Sequence, residues 1–387
     1  MTTIDGQVSD GYERVADAFT RNFDAHGDVG AAFSLYVRGE VVVDLWGGVA
    51  RADSATPWTR DTLQLVFSTT KGATAICAGI LSGRGELDFD APVATYWPEF
   101  AANGKSDISL RTVMSHQSGL PSVPGLSFTD VLAVAPAVEA LAAATPLWEP
   151  GSAHGYHAVT YGWLVGEVVR RVTGMTLGQF FAAEVAAPLG LDFWIGLPES
   201  EESRVSHLVA APPLADPAMA ALVEEMMGPG TLIWRALTVD GAMSNEGGMG
   251  WLDFNDRPLH ATEMPAANGI TDARSLARMY AATVSDVDGV RLLGPATVKD
   301  MCAERSCGPD RVLSVESRFG TGFMLDGTMT PMLGPSSFGH AGAGGSLGFA
   351  DPDAGVGFGY VMNQMGNSIA GDPRTVTLID AVRTCVA

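Results

Sequence analysis

The chain has 387 residues, 47% of them hydrophobic and 17% charged, enough apolar side chain for one large core or two smaller ones and too little charge for a disordered chain. A formal net charge of −21 argues against phosphate-backbone binding, which needs clustered lysine and arginine, and against anionic membrane surfaces. No run approaches the roughly 18 apolar residues of a membrane span, and MTTIDGQVSDGYERVADAF at the N-terminus lacks a basic region followed by an apolar one, so the expectation is a cytoplasmic protein with neither nucleic-acid nor membrane partners.

In chain order, an amphipathic pattern from Tyr12 to Phe23 predicts an N-terminal helix. AAFSLYVRGEVVVDLWGGVA, Ala31 to Ala50, holds two apolar, β-branched runs separated by Arg38-Gly39-Glu40, a hairpin signal. From about Ala101 to Met264 the chain is richer in Ala, Pro and Gly, with helices expected at Val113 to His116, Ser127 to Ala143 and Tyr161 to Val172. Glu201 to Pro265, which includes MMGPGTLIW and EGGMG, reads as irregular, a long loop or lid over a site. Asn268-Gly269 reads as a turn back into the sheet ahead of a helix from Asp272 to Thr283. SSFGHAGAGGSLGFADPDAGVGFGYVMN, Ser336 to Asn363, supplies a second hairpin around Asp351-Pro352-Asp353-Ala354-Gly355, and Val376 to Cys385 a terminal helix. The expected fold is α/β: a central antiparallel sheet built from both chain ends and flanked by helices, residues 1–100 and 265–387, with an inserted, mainly helical domain over 101–264.

Only three lysines occur, Lys71, Lys105 and Lys299. The first stands in FSTTKGATA, just ahead of the helical spacing of GATAICAGIL. Ser68 is then at a helix N-terminus with Lys71 one turn on, on the same face. A serine hydroxyl needs a base to become a nucleophile, and a lysine in an apolar pocket loses its proton readily enough to be that base. The helix N-terminus also aims backbone N–H groups at an oxyanion forming beside Ser68. The competing reading is a helix cap followed by a solvated first-turn lysine.

FSTTKGATAICAGIL, GELDFDAPVATYWPEF, ISLRTVMSHQSGLP, WEPGSAHGYHAVTYGWLVGEVVRRVTG and FGHAGAGGSLGFADP resemble, in order and spacing, the serine β-lactamase-fold family that contains class C β-lactamases, DD-peptidases and the family VIII carboxylesterases. The resemblance covers about Thr62 to Asn363 and points to a family VIII esterase. It implies Ser68 as the acylated nucleophile, Lys71 as its partner base, Tyr156 as the tyrosine that exchanges protons with nucleophile and leaving group, and the backbone N–H groups of Ser68 and Ala343 as the oxyanion hole. Two motifs depart from the β-lactamase pattern: Tyr156-His157-Ala158 stands for Tyr-x-Asn, and His340-Ala341-Gly342 for Lys-Thr-Gly. Without that lysine the pocket lacks a fixed cation for a substrate carboxylate, and His340 offers a hydrogen-bond donor that is mostly neutral at pH 7, so neutral esters fit better than anionic penicillins.

Gly344-Gly345-Ser346-Leu347-Gly348 matches the G-x-S-x-G nucleophile elbow, but Ser346 is followed by a short apolar run into a turn rather than a helix. The glycines are better read as letting a strand edge approach the acyl group. His154 and His157 form an H-x-x-H with no third ligand placed by sequence, so no metal and no cofactor are expected. His116 is expected to fix a loop beside the site. Trp148, Met227 and Trp234 are candidates to line a substrate pocket with His340 and Gly342, although such residues are more often core. Cys77, Cys302, Cys307 and Cys385 have no metal spacing and are expected to be free thiols. The function expected is hydrolysis of small neutral carboxylic esters through an acyl-enzyme. The alternatives are a β-lactamase or DD-peptidase, an amide hydrolase or acyltransferase using the same residues, and a catalytically silent ligand-binding relative.

Overall fold

The computed structural model describes residues 2–244 and 254–386. Its main sheet runs in the order Ile4–Val8, Glu40–Arg51, Gly30–Val37, Val356–Met362, Leu347–Asp351, Phe338–Ala341, Met324–Leu325, Glu316–Phe319, Ser306–Pro309, with every adjacent pair antiparallel. The two expected hairpins meet at its centre, where Phe33 pairs with Tyr360 and Leu35 with Phe358. Arg38 and Gly39 close the first at φ 52 and φ 88.

Side chains alternate across the sheet. On one face Phe33 lies 5.0 Å from Phe358 and 6.5 Å from Phe19, and Phe358 stacks on Phe349 at 4.6 Å. The helices Glu13–Ala25 and Pro373–Val386 cover this face, as the sequence pattern of both termini leads one to expect. On the other face Gly357 and Gly359 lie against the helix Ala273–Val284 so closely that a Cβ on either would sit 2.4 to 2.5 Å from its backbone. The helix carrying Lys71, Thr70–Gly83, is almost wholly buried behind it and packs against Thr160–Thr173.

Three expectations for the middle of the chain change, the first being the short helix foreseen over Val113 to His116, which is Leu110–Met114 with Ser115 and His116 beyond its end. The helix foreseen over Ser127 to Ala143 is two helices, Phe128–Ala133 and Ala135–Ala143, broken at Val134 with φ 63; Pro136 has no N–H for the carbonyl of Leu132 and its ring would clash with it, so one helix cannot run through. The segment read as irregular from Glu201 to Pro265 contains the helices Pro217–Met227, Leu232–Thr238 and Arg257–Ala261. Asp216 and Thr231 cap the first two through their side chains, and Pro217 and Pro258 each open a helix where the missing N–H is harmless. Part of this segment is laced to the sheet, with Val209 N–H donating to Asn363 O at 2.8 Å and Met365 N–H to Val209 O at 2.9 Å. The EGGMG stretch lies outside the described residues. No helix among those described is long and apolar enough to cross a membrane.

Candidate active site

Ser68 is the middle residue of a 3-10 turn, Phe67–Thr69, that leads directly into the helix Thr70–Gly83. Phe67 holds φ 45, an uncommon conformation for a bulky residue and a mark of a constrained turn. Three contacts fix it: the Phe67 ring lies 4.9 Å from that of Phe254, Thr70 Oγ1 donates to Phe67 O at 2.5 Å, and Gly269 N–H donates to Thr70 Oγ1 at 2.8 Å. Ser68 itself stays partly exposed in a stretch that is otherwise buried.

Lys71 is fully buried. Its Nζ donates to Ala158 O at 2.6 Å and Ala266 O at 2.9 Å and lies 3.3 Å from Ser68 Oγ. Burial alone drives its pKa well below that of a free lysine. A neutral amine has two N–H groups and one lone pair, so two carbonyls and one hydroxyl complete its shell, with the Ser68 hydroxyl donating to the lone pair. Thr74 Oγ1 donates to Pro265 O at 2.5 Å and helps hold the loop that presents Ala266. Gly162 lets the helix Thr160–Thr173 approach that loop, since a Cβ there would sit 2.6 Å from Ala266 N.

The Tyr156 ring lies 4.7 Å under Lys71 Nζ. Burial raises the pKa of its hydroxyl, opposed by a hydrogen bond with Ser68. Two neighbours fix its backbone. His116, at φ 62, accepts the His157 N–H on Nδ1 at 3.1 Å and the Gly155 N–H on its carbonyl at 3.0 Å. Asp310 accepts the Tyr156 N–H at 3.0 Å on the Oδ1 that also takes the N–H groups of Val312 and Leu313 at 2.8 and 2.9 Å. The sequence reading did not single out Asp310. Its place after Pro309 suggests a turn, but nothing in the sequence links it to a residue 154 positions away.

The two histidines of the H-x-x-H face different partners. His157 Nδ1 donates to Gly155 O at 2.7 Å, which makes Nε2 an acceptor for Leu120 N–H at 3.1 Å and Ser118 Oγ at 2.8 Å. Burial takes its pKa down to about 3, so it is a neutral structural residue. His154 Nε2 lies 3.0 Å from Ser317 Oγ. Among the described residues no group of His, Cys, Asp and Glu has the arrangement of a metal site.

His340 sits on the strand Phe338–Ala341 opposite Gly348, its ring 6.0 Å from that of Tyr156. Its Nδ1 lies 2.7 Å from Ala341 O, an atom that can only accept, so Nδ1 carries the proton and Nε2, buried and without a protein partner among the described residues, is an acceptor. The expectation that His340 donates to substrate is thereby reversed. Burial and the nearby Lys71 lower its pKa to about 3, leaving it neutral.

Ala343 opens a second 3-10 turn, Ala343–Gly345, and like Ser68 is partly exposed. Leading N–H groups of such turns have no acceptor within the turn, so both residues can aim an N–H at a substrate oxygen. The two turns are laced together: Ser346 Oγ donates to Val66 O at 2.9 Å and pairs with Thr69 Oγ1 at 3.1 Å. That role leaves Ser346 2% exposed, with its hydroxyl committed. Gly342 has no room for a side chain, since a Cβ would sit 2.2 Å from both Ser346 Oγ and Val66 O.

The pocket candidates are dispersed. Trp148 is buried behind the Tyr156 segment; its Nε1 donates to Ala153 O at 3.0 Å, and a Cβ on Gly155 would meet its ring at 2.8 Å. Trp234 packs on Gly241, and Met227 is half-buried at the end of its helix. All four cysteines are free thiols.

The arrangement matches known proteins over nearly its whole length. The Beta-lactamase family model matches residues 16–381. The chain is 38% identical over 363 residues to the Esterase/beta-lactamase LipL of Mycobacterium tuberculosis (strain ATCC 25618 / H37Rv), covering 91% of this chain and 81% of that protein. The crystal structure of a family VIII carboxylesterase superimposes with a TM-score of 0.87 at 39% identity, over 99% of this chain and 100% of that one. A penicillin-binding protein homolog from Caulobacter crescentus does so with a TM-score of 0.87 at 38% identity, over 99% and 100%. The chain therefore belongs to the β-lactamase family, in the part of it that holds the family VIII carboxylesterases.

Proposed function

We propose that this protein hydrolyses small, neutral carboxylic esters through an acyl-enzyme on Ser68. The observation that carries the reading is the Lys71 amine, buried and flanked by two carbonyls with its third direction toward Ser68 Oγ. Lys71 takes the hydroxyl proton as Ser68 Oγ attacks the ester carbonyl. The N–H groups of Ser68 and Ala343 hold the oxyanion of the tetrahedral intermediate. As the intermediate collapses, the alcohol leaves with the proton that Lys71 took up, relayed through the Tyr156 hydroxyl, which its raised pKa keeps protonated so that it passes one proton on as it receives another. A water then attacks the acyl-Ser68 ester by the same route and releases the acid. The relatives named as esterases support the ester as substrate class, and the neutrality of His340 supports an uncharged acyl group.

β-Lactam opening is the second reading, favoured by the relatives named as β-lactamase and penicillin-binding protein homolog. Release of nitrophenol from short-chain p-nitrophenyl esters, compared with nitrocefin opening and with both reactions in Ser68→Ala, separates the two readings from each other and from a silent binder. We place the protein in the cytoplasm, and we divide it into the sheet domain of residues 1–100 and 265–387 and the helical domain of 101–264, with the site at their seam.

A further inference from the structure

The turn Gly342-Ala343-Gly344-Gly345 has one methyl group as its entire side-chain content, and Gly344 and Gly345 hold φ 83 and φ 128. Such a turn has high intrinsic freedom, yet an oxyanion site works only if its N–H groups are fixed before the reaction. One bond lies within the turn, Gly345 N–H to Gly342 O at 3.2 Å, and the rest of the rigidity must come from outside it. We infer that Arg374, second residue of the C-terminal helix, is the positioning residue that fixes Ala343 for catalysis by gripping the carbonyl of Gly344; this rests on the acyl-enzyme reading above.

All five N–H donors of this guanidinium are engaged. Nη2 donates to Gly344 O at 2.5 Å and to Asp372 Oδ2 at 2.7 Å, and Nε to Asp372 Oδ1 at 2.8 Å. Nη1 donates to Asp28 Oδ1 at 3.1 Å and to Gln364 O at 2.7 Å. The Tyr360 hydroxyl, 2.8 Å from both Asp28 oxygens, and Asn22 Nδ2, donating to Arg374 O at 3.1 Å, hold the assembly from the strand and the first helix. Gly366 N–H gives Gly344 O a second donor at 2.8 Å. The surrounding glycines make room for this assembly: a Cβ on Gly345 would sit 2.4 Å from Arg374 Nη2, and one on Gly366 2.7 Å from Asp372 Oδ2. From the other side, Gly342 N–H donates to Ser346 O at 2.7 Å and Gly344 N–H to Ser368 O at 3.3 Å, so the backbone on both sides of Ala343 is anchored. A cavity of about 590 Å³, lined in part by His26, Gln364, Asp372 and Arg374, lies behind the turn.

The test measures kcat and KM for a p-nitrophenyl ester in wild type, Arg374→Ala, Arg374→Lys and Ser68→Ala, with folded, reactive sites counted by organophosphonate titration. Arg374→Ala should lower kcat per titrated site by about 10- to 100-fold with KM within about twofold, the pattern of a misplaced transition-state donor. The inhibition constant of a boronic acid, which mimics the tetrahedral intermediate, should rise by a similar factor. Ethylguanidinium, admitted through the cavity, should restore part of the activity. A purely structural role would reduce the number of titratable sites and leave turnover per site and boronate affinity unchanged, and that result would overturn the inference. Should Arg374→Ala not fold, Arg374→Lys carries the test: lysine cannot fork between Asp372 and Gly344, so unaltered turnover per site in that variant rejects the role. Activity surviving in Ser68→Ala would instead reject the acyl-enzyme reading itself.

Discussion

Lys71 Nζ lies 3.3 Å from Ser68 Oγ, and its other two directions are taken by the carbonyls of Ala158 and Ala266. A base needs a lone pair, and this geometry leaves one position for it, facing the serine. Arginine at 71 keeps a positive charge but cannot release its proton. Lys71→Arg and Lys71→Ala should therefore both lower kcat for ester hydrolysis by about 10²- to 10⁴-fold, measured with p-nitrophenyl butyrate. Turnover near wild type in the arginine variant would show that charge, rather than basicity, is what position 71 supplies.

The same burial makes a pH prediction. Lys71 has a folded pKa far below the unfolded value near 10.4. Between the two values the unfolded chain holds a proton that the native chain does not, so the free energy of unfolding rises with pH, by up to about 1.4 kcal/mol per unit from this group. The contribution levels off above about pH 10.4. Denaturant titrations between about pH 9 and 10 should show this slope in wild type and its loss in Lys71→Met, as expected of a lysine that is neutral in the fold and charged outside it. Activity should fall on the acid side as Lys71 takes up a proton. His157 and His340, with pKa values of about 3, titrate too low to account for a loss nearer neutrality.

Ser346 and Gly342 should respond in ways that separate structure from chemistry. Ser346→Ala removes the buried link to Val66 O and Thr69 Oγ1, which should cost about 1–3 kcal/mol of stability while leaving much of the ester hydrolysis in place. Gly342→Ala forces a methyl into the Val66 O and Ser346 Oγ contacts, moves the second turn away from Ser68, and should lower both melting temperature and kcat. Thermal unfolding and steady-state kinetics on both variants check this. A dead Ser346→Ala that melts like wild type would return the G-x-S-x-G serine to consideration.

Much of this was legible in the sequence because the signals were local. The Arg38-Gly39 turn, the terminal amphipathic patterns and the Ser68-Lys71 spacing each concern residues within a turn or two of one another. What the sequence hides is distant pairing. Asp310 reaches Tyr156 across 154 residues, and Arg374 reaches Asp28 across 346; before folding, such an arginine looks like any surface arginine. The Lys71 carbonyl partners, Ala158 and Ala266, are backbone atoms that carry no sequence signal. Nor does the sequence give the tautomer of His340, which the Ala341 carbonyl decides.

That tautomer bears on substrate class. A neutral His340 offering an acceptor gives an anionic β-lactam carboxylate nothing to bind, so short-chain p-nitrophenyl esters should be hydrolysed with a far larger kcat/KM than benzylpenicillin or a cephalosporin. Comparable values for the two classes would mean that a cation outside the third motif receives the carboxylate. His340→Lys alone should not convert the preference, because the new amine would be buried beside Lys71 and held neutral by the same desolvation.

The most direct measurement is the intact mass of the protein after reaction with an organophosphonate ester, followed by peptide mapping. Acylation at Ser68 predicts a single adduct on the peptide containing Ser68 in wild type, none in Ser68→Ala, and much slower labelling in Lys71→Met. An adduct on Ser346, or labelling of Ser68→Ala at the wild-type rate, would contradict it.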